Sequence, residues 1–276
     1  MQALLQQQKA ALRIKQDLQN GAEIPVTPID RANALRRKQF GGGAQLFATQ
    51  YTTVHACAET DNLAGLMHFL DKKTEIDVQD RSGSSCLIIA AERGFDGFVL
   101  ALLQRGADPT VRNSKSQTAA HAAAVGGHRN ILRQLCAAGA ELSDRDATGA
   151  TPAHYAAQLD DAETLRTLHE CQEDLVAEGI AADGALETPM NNGMLPAHTA
   201  ALFDSPAALR FLHSVGCDLN RQDRDGETPM HKAARVQALR ALAFLRAIHD
   251  IDGARNAEGD TADDLFCDNT RYWALA

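Results

Sequence analysis

The chain has 276 residues, 45% of them hydrophobic, and a formal net charge of −9 at neutral pH. Residues 1–50 carry seven Lys and Arg against three Asp and Glu, a balance of +4, which leaves −13 for the remainder. So acidic a remainder would repel nucleic-acid phosphates, which argues against a nucleic-acid partner. Neither a signal peptide nor a run of 18 apolar residues is apparent, which predicts a soluble protein of the cytoplasm, with the nucleus as the alternative, and no membrane partner.

The N-terminal segment differs from the rest of the chain. Residues 1–20 place their leucines near one helical face, and Gly21 is a natural end for that helix. A second helix is expected to start after Thr27, an N-cap residue, and to run to about Phe40. We interpret residues 1–46 as a helical N-terminal cap. The alternative is a separate docking arm, hinged at the triple glycine that follows the second helix.

From about residue 47 a seven-residue pattern recurs along the chain. Its clearest copies begin with Thr, carry His in the fourth position and end in Ala-Ala; they cover 118–124, 151–157 and 228–234. Weaker copies begin at Thr52, Ser85, Leu195 and Thr261. Successive copies start 33 residues apart, except that the step from 151 to 195 is longer by 11.

This period and this pattern resemble the ankyrin repeat. The resemblance implies an all-α solenoid of helix-turn-helix units with projecting β-turn or hairpin tips, and about six full repeats between terminal caps. It places an ankyrin-repeat domain at 47–276, with repeats at about 47–79, 80–112, 113–145, 146–189, 190–222 and 223–255, and a C-terminal half-repeat at 256–276. It also implies that the histidine of each copy bonds to its own Thr and to backbone of the next unit.

The residues of each unit fit this arrangement physically. The leading Thr can cap an inner helix, Pro suits its first turn, and the Ala pair keeps it thin. Each outer helix supplies a Leu or Val at one position and a second large apolar residue three positions later, as a single buried face requires. Repeat two has Ile88 in the histidine position, so we expect a weak joint there, and a second at the 11-residue insertion.

The insertion falls after the outer helix of repeat four. Residues 172–178 could continue that helix by about two turns, and Gly179 could end it. Residues 170–190 carry six acidic side chains and no Lys or Arg. Two interpretations of the segment 172–190 stay open: a loop insertion tolerated at low cost, or an acidic protrusion that docks a basic partner.

Catalytic and metal-binding patterns are missing from the sequence. Histidines one repeat apart point alike from successive units and cannot converge on one ion, so no metal is expected. The cysteines show no C-x-x-C pair, and Cys57, Cys136 and Cys217 take small positions in which a reduced, buried thiol is expected. No phosphate-binding loop and no Cys–His pair stand out. We therefore predict a protein that is not an enzyme and has no cofactor.

The side chains that the repeat does not need lie at the turn tips and at the ends of the inner helices. In ankyrin-like stacks these form a concave surface that recognises a partner, so the sequence favours a monomeric protein–protein interaction scaffold or adaptor. The predicted centre is in repeats four and five, with cations around it. The candidate partner-binding residues are Arg81, Arg93, Lys115, Tyr155, Leu159, Met194, Leu202, Phe203, Arg224 and Arg235. Alternatively, Leu202 and Phe203 fold under the insertion.

Two further resemblances concern single segments. Residues 36–40, Arg-Arg-Lys-Gln-Phe, resemble the basic-aromatic docking segment of phosphatase-targeting subunits but lack the Val or Ile expected before the Phe. The alternative function is therefore a regulatory or targeting subunit of an enzyme such as a phosphatase, engaged through the basic N-terminal segment. Leu212 followed by Asp218-Leu219-Asn220 resembles the context of asparagine hydroxylation in ankyrin repeats, which makes Asn220 a candidate modification site.

Overall fold

The computed structural model describes residues 54–71, 76–177, 184, 186–248 and 253–267. The predicted N-terminal cap or docking arm, residues 1–46, lies outside these described residues. Within them, short inner helices alternate with outer helices, and a last helical segment covers residues 262–267. The helices are α1 (Val54–Glu59), α2 (Leu63–Asp71), α3 (Cys86–Arg93), α4 (Asp96–Gln104), α5 (Ala119–Gly126), α6 (Arg129–Ala137), α7 (Pro152–Gln158), α8 (Ala162–Ala177), α9 (Pro196–Leu202), α10 (Pro206–Ser214), α11 (Pro229–Arg235) and α12 (Leu239–Ala247).

Each helix pair packs against the pair that follows it. Every inner helix contacts its own outer helix, inner helices of consecutive units contact one another, and from α4 onwards the outer helices do the same. None of the helices described is long and apolar enough to cross a membrane. The all-α repeat architecture implied by the resemblance is confirmed.

The core is built from the apolar positions that recur in the outer helices. The first position is fully or nearly fully buried in every unit, and it is occupied by Leu66, Val99, Leu132, Leu165, Leu209 and Leu242. Burial of one such side chain contributes about 1.5–3 kcal/mol. Ala156 and Ala157 on α7 are also fully buried, and their small size lets the neighbouring inner helices approach closely. One continuous apolar core therefore runs along the stack.

The pattern histidines tie consecutive repeats together. In repeat four, Nδ1 of His154 accepts a hydrogen bond from the backbone N–H of Thr151 at 3.1 Å. The ring is therefore protonated at Nε2, which donates to the carbonyl oxygen of Met194 in the next repeat at 3.1 Å. Equivalent ties run from His121 to Ala150, His198 to Glu227 and His231 to Asp260, and from His55 to Val78.

The turn tips carry a second set of ties. In repeat four, Asp146 Oδ1 accepts from the backbone N–H groups of Thr148 and Ala150 at 2.8 and 2.9 Å and so shapes the turn. An Asp or Asn does the same in four other tips, at Asp80, Asn113, Asp223 and Asn256. In repeat two the tip also contains an isolated antiparallel bridge between Gln79 and Ser85.

Backbone hydrogen bonds join each tip to the next. The N–H of Ala147 donates to the carbonyl of Lys115 at 2.9 Å, and the N–H of Asn191 donates to the carbonyl of Thr148 at 3.1 Å. Gly149 has φ +82°, and a Cβ placed on it would lie 2.6 Å from the backbone nitrogen of Asn191. Glycine is needed here both for the left-handed conformation and for the close approach of the next tip.

The helix before the insertion is longer than the other outer helices. α8 has 16 residues and ends at Ala177, whereas α6 has nine. The predicted helix extension is thus confirmed as far as Ala177; residues 178–183 lie outside the described part of the chain. The joint across the insertion keeps both its histidine tie and its tip tie. The structure therefore gives no reason for the weak joint expected at the insertion.

In repeat two the histidine position is different. Ile88 is 3% exposed and fills that position with an apolar side chain, while Ser85 caps its own helix by accepting from the N–H of Ile88. The tip of repeat two is still joined to the next, because the N–H of Ser114 donates to the carbonyl of Ser82 at 3.0 Å. This joint thus keeps one of the two ties.

Candidate functional site

Three large apolar side chains stand exposed at equivalent positions of repeats four, five and six. Leu159, Phe203 and Val236 are the C-cap residues of α7, α9 and α11, and they are 53%, 49% and 46% exposed. We call these three residues the apolar row. Since α7 packs on α9 and α9 on α11, the three side chains follow one another along the stack. Phe203 is not the buried residue that the alternative interpretation of the insertion requires, and Leu202 beside it is half-buried.

Met194 lies elsewhere. Its side chain is only 8% exposed, so the expectation of an accessible Met194 is wrong. The reason is its place in the tip, directly before the N-cap residue of the inner helix, where Ala150 and Glu227 are buried in the neighbouring repeats. The contribution of Met194 to the stack is the carbonyl oxygen that accepts from His154.

Tyr155 is half-buried, and its hydroxyl is used by the scaffold. The hydroxyl donates to Asp146 Oδ2 at 2.6 Å and accepts from Gln117 Nε2 at 2.9 Å. Burial, together with the hydrogen bond to Asp146, raises the pKa of Tyr155 to about 12. Burial also acts to raise the pKa of Asp146, but hydrogen bonds from Tyr155 and Thr148 outweigh it and hold that pKa below its usual value. Tyr155 thus positions a tip rather than offering a hydroxyl to a partner.

All five predicted cations are exposed, and within the described residues no ion pair involves four of them. Arg81 and Arg224 occupy equivalent tip positions of repeats two and six, Lys115 lies in the tip of repeat three, and Arg93 ends α3. Arg93 is the repeat-two equivalent of the residues in the apolar row. The fifth cation, Arg235, is half-exposed but forms an ion pair with Glu227.

A buried charge network in repeat six was not anticipated from the sequence. Lys232 Nζ lies 2.7 Å from Asp223 Oδ2 and 2.6 Å from Glu227 Oε2, with the lysine side chain 11% exposed. Burial alone would lower the pKa of Lys232, but its bonds to the two carboxylates raise it above its usual value. The sequence does contain a signal for this network. Asp223 and Lys232 are nine residues apart, as are Asp146 and Tyr155, so in repeat six Lys232 takes the place that Tyr155 has in repeat four as the donor to the tip aspartate.

The titration of the histidine ties follows from their burial. Burial lowers the pKa of His154 to about 4, and it lowers the pKa values of His121 and His198 as well. Each ring therefore stays neutral at physiological pH and keeps its two hydrogen bonds. In the described part of the chain, no group of three or more His, Cys, Asp or Glu side chains is placed to hold a metal ion.

Asn220 lies exposed in the turn after α10. Its backbone N–H donates to Asp218 Oδ1 at 2.8 Å. Its modification stays a prediction, which intact-peptide mass spectrometry of the purified protein would check.

Family models agree with the repeat geometry. One for ankyrin repeats in three copies matches residues 87–178, and one for ankyrin repeats in many copies matches residues 197–246, together about half of the chain. The chain belongs to the ankyrin-repeat family. Ankyrin repeats generally mediate protein–protein interaction and are typically non-catalytic.

Curated relatives share the ankyrin segment and little else. Alpha-latrotoxin-Lhe1a of Latrodectus hesperus is 34% identical over 152 residues, which are 52% of this chain and 10% of the toxin. The inactive serine/threonine-protein kinase TEX14 of Mus musculus is 34% identical over 103 residues, or 37% of this chain and 7% of TEX14. Ankyrin repeat domain-containing protein 37 of Mus musculus is 51% identical over 51 residues, 18% of this chain and 32% of that protein. The chain thus matches a third or less of the length of each.

A solved ankyrin structure has the same fold. The crystal structure of the human ASB11 ankyrin repeat domain aligns with a TM-score of 0.62, covering 78% of this chain and 91% of that domain. At 23% sequence identity this likeness concerns the ankyrin fold alone.

Proposed function

We propose that the protein is a non-catalytic interaction scaffold that binds a partner protein on the inner-helix side of its ankyrin stack, centred on repeats four to six. The observation that carries this proposal is the apolar row, in which Leu159, Phe203 and Val236 stand about half exposed in consecutive repeats. Isolated exposed apolar residues are common, but three at equivalent helix C-caps of consecutive repeats offer a partner apolar contacts at regular intervals. None of the three has a polar atom in its side chain that the inter-repeat ties could use.

The energy available from the row is appreciable. Full burial of a Leu, Phe or Val side chain contributes about 1.5–3 kcal/mol, so covering the exposed half of three such residues contributes about 3 kcal/mol. That corresponds to about 100-fold in affinity. The exposed cations Arg81, Arg93, Lys115 and Arg224 lie on repeats two, three and six, where they would select among partners more than they would add affinity.

The test is quantitative capture of partners by the full-length chain. Wild type and a Leu159→Ser/Phe203→Ser double variant are used as baits in parallel, and bound proteins are quantified by mass spectrometry. The matched control is Leu100→Ser, because Leu100 is 44% exposed on the outer helix α4, away from the row. Circular dichroism and thermal melting establish that all three baits are folded.

We expect specific partners to be lost from the double variant, at least about tenfold, and retained by Leu100→Ser. Equal capture by the double variant and wild type would exclude the row as the binding surface. Deletion of residues 1–46 tests the alternative function as a regulatory subunit. If the double variant still binds the partner and the deletion variant does not, the regulatory-subunit function is favoured. An adaptor role, a cytoplasmic or nuclear location and a monomeric state remain predictions.

A further inference from the structure

Two cysteines from neighbouring repeats meet on the outer side of the stack. Cys136 lies near the end of α6 in repeat three and is partly exposed, and Cys171 lies within α8 of repeat four and is buried. The Cys136 thiol donates to the carbonyl oxygen of Cys171 at 3.5 Å, so the two cysteines are in direct contact. All six cysteines of the chain are thiols in this structure.

This contact depends on the feature that distinguishes repeat four. The residue equivalent to Cys171 in repeat three is Ala138, the C-cap at which α6 ends. In repeat four the helix continues for two more turns, so Cys171 is held inside a helix and its side chain is presented to the neighbouring repeat. The contact between the two cysteines therefore depends on the helix extension that the insertion provides.

We propose that Cys136 and Cys171 form a reversible disulfide that locks repeat three to the extended helix of repeat four under oxidising conditions. The bond would bring the two sulfur atoms to about 2.05 Å, and the Cys136 sulfur already contacts the backbone of Cys171 at 3.5 Å. Partial exposure makes Cys136 the thiol that an oxidant reaches first, and buried Cys171 is the resolving thiol.

The reaction balances with a peroxide as the oxidant. The sulfur of Cys136 attacks one peroxide oxygen, the O–O bond breaks, and a sulfenic acid and one water result. The sulfur of Cys171 then attacks the sulfenic sulfur, the S–O bond breaks, and a second water leaves. Two thiols are oxidised by two electrons and hydrogen peroxide is reduced to two waters. An external dithiol reverses the process by thiol–disulfide exchange.

The reaction should be slow at neutral pH. The hydrogen bond with Cys136 and then burial raise the pKa of Cys171, so little thiolate is present near pH 7. Because the Cys171 thiolate is the attacking species in the second step, the cross-linking rate should rise as the solution is made more alkaline. The disulfide between Cys136 and Cys171 is therefore expected to form during sustained oxidation rather than during a brief contact with the oxidant.

The experiment uses the full-length chain with Cys267→Ser, which removes the exposed thiol at which intermolecular disulfides would form. The protein is treated with hydrogen peroxide at pH 7, 8 and 9, remaining thiols are alkylated, and digests are analysed by mass spectrometry without reduction. Cys136→Ser and Cys171→Ser variants each remove one partner. Cys217→Ser is the matched control, since Cys217 is also partly buried but lies two repeats away.

We expect a cross-linked peptide pair containing residues 136 and 171, formed faster at higher pH, reversed by dithiothreitol and unaffected by Cys217→Ser. Closing a loop of this length should raise the Tm by about 5 °C or more, in a manner abolished by either partner substitution. The proposal is overturned if both thiols remain fully alkylatable at pH 9, if Cys136 is oxidised to sulfinic acid without a cross-link, or if the bond forms without changing Tm. The Tm shift is also measured on the Cys267→Ser parent protein with and without dithiothreitol. The test therefore remains valid even if a Cys136 or Cys171 variant misfolds.

Discussion

The buried histidine ties predict that acid destabilises this protein well above the pH at which its carboxylates titrate. In the unfolded chain a histidine has a pKa of about 6.5, whereas burial lowers that of His154 to about 4. Between these values the unfolded state binds more protons than the folded state. Stability from this group is thus fully present above about pH 6.5 and is lost as the pH falls towards 4.

The size of the effect follows from the two pKa values. Lowering the pH from 7 to 5 should remove about 2 kcal/mol of unfolding free energy through His154 alone. His121 and His198, whose pKa values burial also lowers, add losses of the same sign. Carboxyl groups with lowered pKa values, such as Asp146, lose their stabilising effect only below about pH 4, outside this interval.

Urea denaturation at pH 7 and pH 5, followed by circular dichroism, measures the loss. His154→Gln removes the titrating ring, so its stability should fall less between the two pH values than that of wild type, by about 2 kcal/mol. Tyr155→Phe is the control from the same helix: its hydroxyl titrates near pH 12, so the substitution should lower stability equally at both pH values. If His154→Gln loses as much as wild type on acidification, burial does not keep this ring neutral and the reasoning fails.

Three further substitutions test the packing of the repeats, each by urea denaturation at pH 7. Lys232→Met leaves buried Asp223 without a cation, and Glu227 with Arg235 alone, and should cost about 3–5 kcal/mol; a cost under 1 kcal/mol would show that the network is open to water. Gly149→Ala and Gly106→Ala both place alanine at a positive φ, +82° and +84°, which costs about 1–2 kcal/mol. Only at Gly149 would the new Cβ also meet the backbone of Asn191, so this variant should be the less stable of the two.

The fold could be predicted from sequence because each repeat uses the same residues for the same physical task. The Thr residue caps the inner helix, the His residue bonds to the next repeat, and the paired alanines let neighbouring inner helices approach closely. These three tasks recur every 33 residues. The tip residues were harder to find. Asp146 and its equivalents also recur at that period, but the position alternates between Asp and Asn and is Met190 in repeat five, so the shared task, an oxygen that accepts two backbone N–H groups, is hidden.

Candidate binding residues could be predicted from the sequence at positions where the repeat needs no particular side chain for folding. Leu159 and Phe203 were identified because the repeat requires nothing apolar at those positions, and the structure leaves both about half exposed. The prediction of an exposed Met194 is wrong because the repeat pattern does not distinguish one tip residue from another. The tip alternates instead: residues near its turn face water, whereas the residue before the inner helix packs inwards. A periodic motif does not record this alternation, which backbone geometry decides.

The insertion shows what keeps the apolar row continuous. Leu159 and Phe203 are 44 residues apart in the chain, whereas Phe203 and Val236 are 33 apart, yet all three are C-caps of inner helices. The extra residues enter after the outer helix, where neither the histidine tie nor the tip tie is formed. The inner helices on either side are therefore stacked as elsewhere, and the partner-facing side chains follow the ties rather than the sequence spacing. Variation in loop length on the outer side can thus accumulate, and even add a thiol contact, without disturbing the surface on the inner side.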